Sequence, residues 1–344
     1  MFRVHTIEPN PTNNKRLILF NREIPNKTNQ VRFIDYGNFN KILESPELVT
    51  VNDNRIKKVL VPRKNSSRKG DNGIVLVVGG SRIYHGAPVL ASIAALRSGI
   101  DLVYTAVPSI NVESTRSYSP NLIVIPLVDQ RLTMGSAARL IKTLPKKVDV
   151  ATIGMGMNIA KKEALLSLIE KLLKYGTKLV LDASALIPEI LPKIKGSGCI
   201  ITPHGGEYMR IFETELKNYN NNNNDNNNSE NEQILDVLNN AKKYGITIIL
   251  KGWKNIISNG ELTTVIERST PAMTVGGTGD VLAGLVAGFF SKLNSSFDAS
   301  CAAVYLNGIA GFMAYQKSGL HIVASDLIDN LPQVLKNFDQ IENN

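Results

Sequence analysis

The sequence predicts an α/β protein built on a mostly parallel central sheet with helices on both faces. Two observations carry that expectation. Short runs such as Ile74-Val75-Leu76-Val77-Val78 are apolar at every position, as strands buried on both faces are. These runs alternate with amphipathic stretches of helical length, the pattern of a sheet covered on both sides. A third observation says where chemistry belongs. Glycine, polar and acidic residues crowd directly after the apolar runs, and such sheets bind ligands beyond the carboxyl ends of their strands.

Taken in order, the apolar run at 74–78 is a buried strand and the Ala-rich stretch 87–97 a helix. Strands follow at 102–107 and 121–126, a helix at 134–142, a strand at 149–153, a helix at 161–174 and a strand at 178–181. Further apolar runs place strands at 199–202, 247–250 and 256–257. The chain closes on helices at 280–293, 297–316 and 325–338. Residues 1–48 are rich in Asn, Pro and Thr and show no lasting period, so they are expected to form a poorly ordered arm ahead of a single domain at 56–338. Ten of the fourteen residues from Asn218 to Asn231 are Asn, which predicts a disordered surface insertion at 218–231.

Composition narrows the function classes. At 43% hydrophobic and 20% charged, the 344-residue chain can build a large core. No uninterrupted apolar run approaches the roughly 18 to 20 residues of a membrane span, so no membrane role is expected. Cys199 and Cys301 stand alone in apolar contexts, which excludes a disulfide scaffold and points to a reducing, cytoplasmic setting. The net charge of +9 is concentrated: residues 1–70 hold 14 Lys+Arg against 6 Asp+Glu, and the rest is nearly balanced. A basic arm can touch nucleic acid, but no block of five like charges is present and a solvated tail is the expected reading.

Four strand ends carry the candidate chemistry. Val78-Gly79-Gly80-Ser81 leads through Tyr84-His85-Gly86-Ala87-Pro88 into a helix, where glycines let the backbone approach a ligand. Ile153-Gly154-Met155-Gly156 lacks the third glycine of a dinucleotide fingerprint, since Ile159 stands there, and no Walker motif occurs anywhere. Thr202-Pro203-His204-Gly205-Gly206-Glu207 sets a His and a carboxylate three apart where a strand meets a helix. The most specific is Gly276-Gly277-Thr278-Gly279-Asp280, running into an apolar helix. Free N–H groups and the positive helix end there make an anion hole suited to a phosphoryl group, and Asp280 can cap the helix or accept a proton from a hydroxyl. Gly284 and Gly288, four apart, would let this helix lie close to its neighbours.

These motifs, with Leu181-Asp182-Ala183 and Leu250-Lys251-Gly252, resemble the ADP/ATP-dependent (S)-NAD(P)H-hydrate dehydratase family of the ribokinase-like superfamily, over about four fifths of the chain. The resemblance implies a ribokinase-like fold and repair of hydrated NADH or NADPH, with ADP or ATP as phosphoryl donor and Mg²⁺. By the same resemblance Ala87, Gly156, His204 and Asp280 bind the hydrated nicotinamide, with Asp280 as catalytic base. The adenine nucleotide lies along Lys251, Gly252, Trp253, Lys254 and Asn255 and against Gly277, Thr278 and Gly279. Glu207 takes the place of a residue that organises Mg²⁺ through water. A homo-oligomer, a tetramer being one form, is implied too. The chain departs from the family in having Met155 between its two glycines, Ser184 for a second acidic residue, and Thr270-Pro271 before the last turn. The residues before Val61 are too few for the epimerase domain often fused upstream. Two rival expectations stand beside this one: a small-molecule kinase of the superfamily, acting on hydroxymethylpyrimidine or hydroxyethylthiazole, and a nucleic-acid-binding module using the basic arm.

Overall fold

The computed structural model describes residues 47–144, 148–214, 226–267 and 270–342. The elements run β1 (Glu47–Leu48), α1 (Asp53–Val59), β2 (Arg63–Lys64), β3 (Ile74–Val78), α2 (Gly86–Arg97), β4 (Leu102–Pro108), α3 (Val112–Tyr118), β5 (Ile123–Leu127), α4 (Met134–Thr143) and β6 (Val150–Ile153). Then come α5 (Lys162–Lys174), β7 (Lys178–Leu181), α6 (Leu191–Ile194), β8 (Ile200–Ile201), α7 (Gly205–Phe212), α8 (Asn226–Tyr244), β9 (Thr247–Leu250), β10 (Lys254–Ser258) and β11 (Leu262–Glu267). The last are α9 (Thr278–Lys292), α10 (Ser296–Ser318), α11 (Ala324–Leu335) and β12 (Ile341–Glu342).

Ten strands form one sheet in the order β1-β11-β10-β9-β8-β7-β6-β3-β4-β5, and β12 pairs with β2 in a small second sheet. All neighbours in the main sheet are parallel except β10, which runs antiparallel to both β9 and β11. The fully buried residues of β3, β6 and β9 need this arrangement, because each strand is covered on both faces. One core joins α2, α9, α10 and α11 to the sheet, and the other joins α4, α5, α6 and α8 to the opposite face. In α5, Leu165, Leu168, Ile169 and Leu172 fall at helical spacing and are all buried, which fixes the face it turns to the sheet.

The chain leaves β3 toward β4 and β5 on one side and resumes at β6 toward β9 on the other. The strand order therefore reverses between β3 and β6, the position at whose carboxyl ends open α/β sheets bind ligands. Helix α9 packs on α2 and lies across β3, β6 and β7, so its first turn also reaches that edge. The close packing is made by glycine. A Cβ on Gly284 would stand 2.1 Å from the Ala91 carbonyl oxygen, and one on Gly288 would stand 2.0 Å from Ser98 Oγ.

Several expectations need correction. The arm, placed at 1–48, overlaps the sheet: Glu47–Leu48 pairs with Leu262 and Thr263 and closes one edge, while residues 1–46 lie outside the described residues. The insertion at 218–231 is helical from Asn226 onward, and 218–225 lie outside the described residues. Asn is a poor helix former, but α8 is anchored by Ile234, Val237, Leu238 and Ala241, and propagation adds one hydrogen bond per residue to a packed helix. The strand expected at 199–202 shrinks to two residues. The isolated apolar pair 256–257 is the centre of a five-residue strand in an antiparallel hairpin with β11, which the apolar-run criterion passes over. Helix α10 and its short continuation, Ser296–His321, are long enough to cross a membrane and hold an 18-residue window of mean hydropathy 1.2, yet 67% of that window is buried inside the protein as part of a core helix.

Candidate active site

The loops after β3 and β6 are stitched together at the strand-order reversal. Gly80 donates its N–H to the Met155 carbonyl at 2.8 Å, and Gly154 donates to the Val78 carbonyl at 3.0 Å. Gly156 has φ +60°, and a Cβ there would lie 2.6 Å from Tyr84 Cβ and 3.0 Å from Ala87 Cβ. Ala87 in the first turn of α2 and Gly156 after β6 are thus immediate neighbours, although 69 residues separate them in the chain. Buried Asn111 braces the first loop by donating to the Ser81 carbonyl at 2.8 Å.

The start of α9 is left open by its sequence. The residue capping it is Gly277, at φ +94°, wedged so tightly that a Cβ would meet Leu90 Cδ1 at 2.8 Å and Ala324 Cβ at 2.9 Å. Glycine provides no capping oxygen, so no side chain satisfies the first N–H groups of this 15-residue helix. Thr278 does not serve either, because its hydroxyl donates back to the Met273 and Val275 carbonyls at 3.0 and 3.1 Å. Gly276 has open space where a side chain would stand. The positive end of the helix dipole is therefore free for an anion.

A compact charge cluster lies beside it. Asp182, directly after β7 and only 2% exposed, accepts from Thr202 Oγ1 at 2.6 Å and from Lys251 Nζ at 2.7 Å. The same ammonium is 3.8 Å from Glu207 Oε2. Burial alone would pull Lys251 down, but the Asp182, Glu207 and Asp280 carboxylates together hold it above the ordinary lysine range. Asp280, in the first turn of α9, is pushed up to about 7 by burial and by the Asp182 charge, with Lys251 pulling the other way. A carboxyl poised near neutrality can take a proton from a hydroxyl and release it again.

His204 and Glu207 are engaged with each other. His204 Nδ1 accepts from the Gly206 and Glu207 N–H groups at 3.1 and 3.3 Å, while Glu207 Oε2 accepts from the His204 N–H at 2.9 Å. This reciprocal cap starts α7 and leaves the hydrogen of the imidazole on Nε2, 3.4 Å from Glu207 Oε1. The ring remains 55% exposed. Of the stretch after β9, Lys251 turns inward to Asp182, while Trp253, the chain's single tryptophan, is 63% exposed with the Lys254 ammonium 4.6 Å from its ring centroid. Asn255 Nδ2 donates to the Ile266 carbonyl at 3.2 Å, and Gly252 leads the turn. Gly279 has its missing Cβ 3.6 Å from Lys251 Nζ, so the stretch after β9 and the start of α9 meet there. Among the described residues no group of three His, Cys, Asp or Glu side chains is placed to hold a metal. Glu207 instead has its carboxylate turned to the His204 backbone N–H, the His204 imidazole and the Lys251 ammonium.

Asp182 and Thr202 stand inside motifs of the sequence that assign them no role. The available signal was a polar residue directly after a buried apolar run, 179–181 for Asp182 and Ile200–Ile201 for Thr202, at the strand-end edge where sheets of this class bind ligands.

Comparison with known proteins places this architecture first in the ribokinase-like class. A solved structure from Enterococcus faecalis V583, described as a ribokinase-like superfamily protein, shares the fold with a TM-score of 0.70 at 22% identity, over 87% of this chain and 99% of that one. A Bacillus subtilis structure described as an ADP/ATP-dependent NAD(P)H-hydrate dehydratase co-crystallized with ATP/Mg²⁺ also has a TM-score of 0.70, at 24% identity over 84% and 98% of the two chains. The family model described as NAD(P)H-hydrate dehydratase matches residues 75–333. A relative from Nitrosopumilus maritimus, named ADP-dependent (S)-NAD(P)H-hydrate dehydratase, is 54% identical over 83% of this chain and 96% of its own length. The chain belongs to the NAD(P)H-hydrate dehydratase family.

Proposed function

We propose that this chain restores hydrated NADH or NADPH, in the S configuration, to the reduced dinucleotide by nucleotide-dependent dehydration, with ADP as the donor. The observation that carries the mechanism is Asp280, a carboxyl held near neutrality at the uncapped start of α9. The name of the Nitrosopumilus maritimus relative supports the substrate and the donor.

Hydration of the reduced nicotinamide ring adds a hydroxyl at C6 and a hydrogen at C5, and hydroxide is a poor leaving group. Asp280 takes the hydroxyl proton while the oxygen bonds to the terminal phosphorus of ADP. The bond to the bridging oxygen breaks, and its electron pair departs with AMP. The N–H groups of Thr278, Gly279 and Asp280 face the transferred phosphoryl, where fixed donors stabilise developing charge without reorganisation. The ring nitrogen's lone pair then expels phosphate from C6, and loss of the C5 proton restores the double bond. Mg²⁺, when it accompanies the nucleotide, would neutralise phosphate charge. Ala87 and Gly156 form the floor against which the ring packs, and His204 presents its Nε2–H from the cap of α7.

The test is direct. Hydrated NADH is incubated with the protein, Mg²⁺ and ADP or ATP, and the NADH absorbance is followed. Recovery of absorbance with release of phosphate is expected. A stable phosphorylated product with no NADH would instead identify a small-molecule kinase. A homo-oligomer belongs to the same proposal. Exposed Ile110, Tyr118, Ile123, Val128 and Met134 around the β5 edge support it, and light scattering measures it.

A further inference from the structure

The buried ion pair Asp182–Lys251 is more than a structural contact. We infer that Lys251 is the cation that meets the phosphoryl group in flight, and that Asp182 is the positioning residue that holds its ammonium at the start of α9. The inference rests on the phosphoryl-transfer reading above and deepens it.

Lys251 is fixed at both ends. Its N–H donates to the Pro203 carbonyl at 2.7 Å, and an isolated parallel bridge to His204 ties its backbone to the residues after β8. From there the side chain passes the end of β8 to reach Asp182 after β7, where Nζ and Oδ1 are 2.7 Å apart. The same oxygen is also held by the Thr202 hydroxyl, and that hydroxyl comes from the strand end between the two partners. Asp182 is thus clamped from two sides, and Lys251, with its side chain 19% exposed, has little freedom to leave.

A pair this buried is expensive to desolvate and is weak evidence for stability by itself. Its location indicates what it does. The ammonium sits 3.6 Å from the point where Gly279 lacks a Cβ, beside a helix start that has no capping side chain. A side chain at 279 would fill the space between the helix N–H groups and the cation. Glycine keeps that space open, so two sources of positive potential converge on one small volume. An ammonium held there favours the state with most charge on the terminal phosphoryl oxygens. In the transfer itself Lys251 donates a hydrogen bond and stays protonated; the hydroxyl proton goes to Asp280 and the electron pair of the broken P–O bond goes to AMP.

This differs from a lysine that merely binds the adenylate, and the difference is measurable, because AMP lacks the phosphoryl group that ADP transfers. Calorimetry with AMP and with ADP is run on wild type, Lys251→Ala, Asp182→Asn and the double variant Lys251→Met/Asp182→Asn, alongside turnover of hydrated NADH. In Lys251→Ala the AMP affinity is expected within about twofold of wild type while ADP binds roughly tenfold more weakly or worse. Turnover number falls by about 10² to 10³, the scale for losing one fixed donor to developing charge. Asp182→Asn shows the same selective loss of ADP affinity to a smaller degree. Should a single variant fail to fold because one charge is left buried and unpaired, the double variant removes both charges. It is expected to fold as well as wild type yet still bind ADP no better than AMP. Equal weakening of AMP and ADP, or an unchanged ADP preference in a folded double variant, overturns the inference. An active wild type with normal turnover in Asp182→Asn overturns the positioning role. A wild type that yields no NADH from the hydrate, with ADP selectivity still lost in Lys251→Ala, counts against the dehydratase reading and not against the placement of Lys251.

Discussion

Replacing Asp280 by Asn separates catalysis from stability. Asn keeps the size of the side chain and its capacity to sit at a helix start, but it cannot take a proton at neutral pH. If Asp280 is the base, turnover should fall by roughly 10² to 10⁴ with nucleotide binding retained, because a positioned base contributes about that much. The structure adds a second expectation. Burial and Asp182 push the Asp280 carboxyl up to about 7. A carboxyl whose folded value is raised favours the fold fully below about pH 4, and that contribution is lost as pH rises through about 7. At complete burial the cost to the ionised fold would be ~4 kcal/mol; partial solvent contact screens it to roughly 2 kcal/mol. Asp280→Asn should therefore melt about 4 °C higher than wild type at pH 8, with little difference at pH 4. Calorimetric melts at the two pH values and a turnover assay decide the matter. Near-normal turnover refutes Asp280 as the base, and equal melting temperatures at pH 8 refute the electrostatic account of its surroundings.

Three further expectations follow from other parts of the site. The kcat/KM of wild type should fall with unit slope below about pH 7 as Asp280 becomes protonated, and a profile flat from pH 5 to 8 would contradict the raised carboxyl. Gly284→Ala should destabilise by roughly 1–3 kcal/mol despite alanine's better helix propensity, since the new Cβ meets the Ala91 backbone and not a movable side chain; denaturant unfolding measures it, and turnover should drop as α2 and α9 are pushed apart. His204→Asn should preserve the cap of α7 and hence the melting temperature, while raising the KM for the hydrated dinucleotide. An unchanged KM would confine His204 to capping.

How far the sequence alone reached can be judged residue by residue. The strand at 74–78 and the helices at 87–97 and 161–174 were legible because complete burial and helical spacing are local properties of composition. The glycine-rich start of α9 was legible for the same reason, since a turn with no capping side chain followed by an apolar helix is written in consecutive residues. Gly284 and Gly288 announced a close helix contact without naming α2 as the partner. The antiparallel pairing of β10 with β11 is not legible, because only the apolar pair 256–257 marks β10, β11 sets Thr263 and Thr264 among its apolar residues, and pairing direction has no local signature. The helical Asn226–Asn231 was missed because composition measures propensity, while the packed half of α8 decides whether the helix extends.

The sequence by itself determined the class of sheet, the strand-end edge on which the candidate site residues gather, the open helix start and the candidacy of Asp280. Only the tertiary structure brought Ala87 against Gly156 across the strand-order reversal. It also turned Lys251 inward and set Asp182 beneath it, with Thr202 as the clamp. The physical reason is that charge interactions depend on distance and burial. Asp182 and Lys251 are 69 residues apart in the chain but 2.7 Å apart in space, and nothing in local propensity sets that distance. The raised carboxyl of Asp280 follows from the same cause, because folding removes its water and places the Asp182 carboxylate near it, with the Lys251 ammonium pulling the other way.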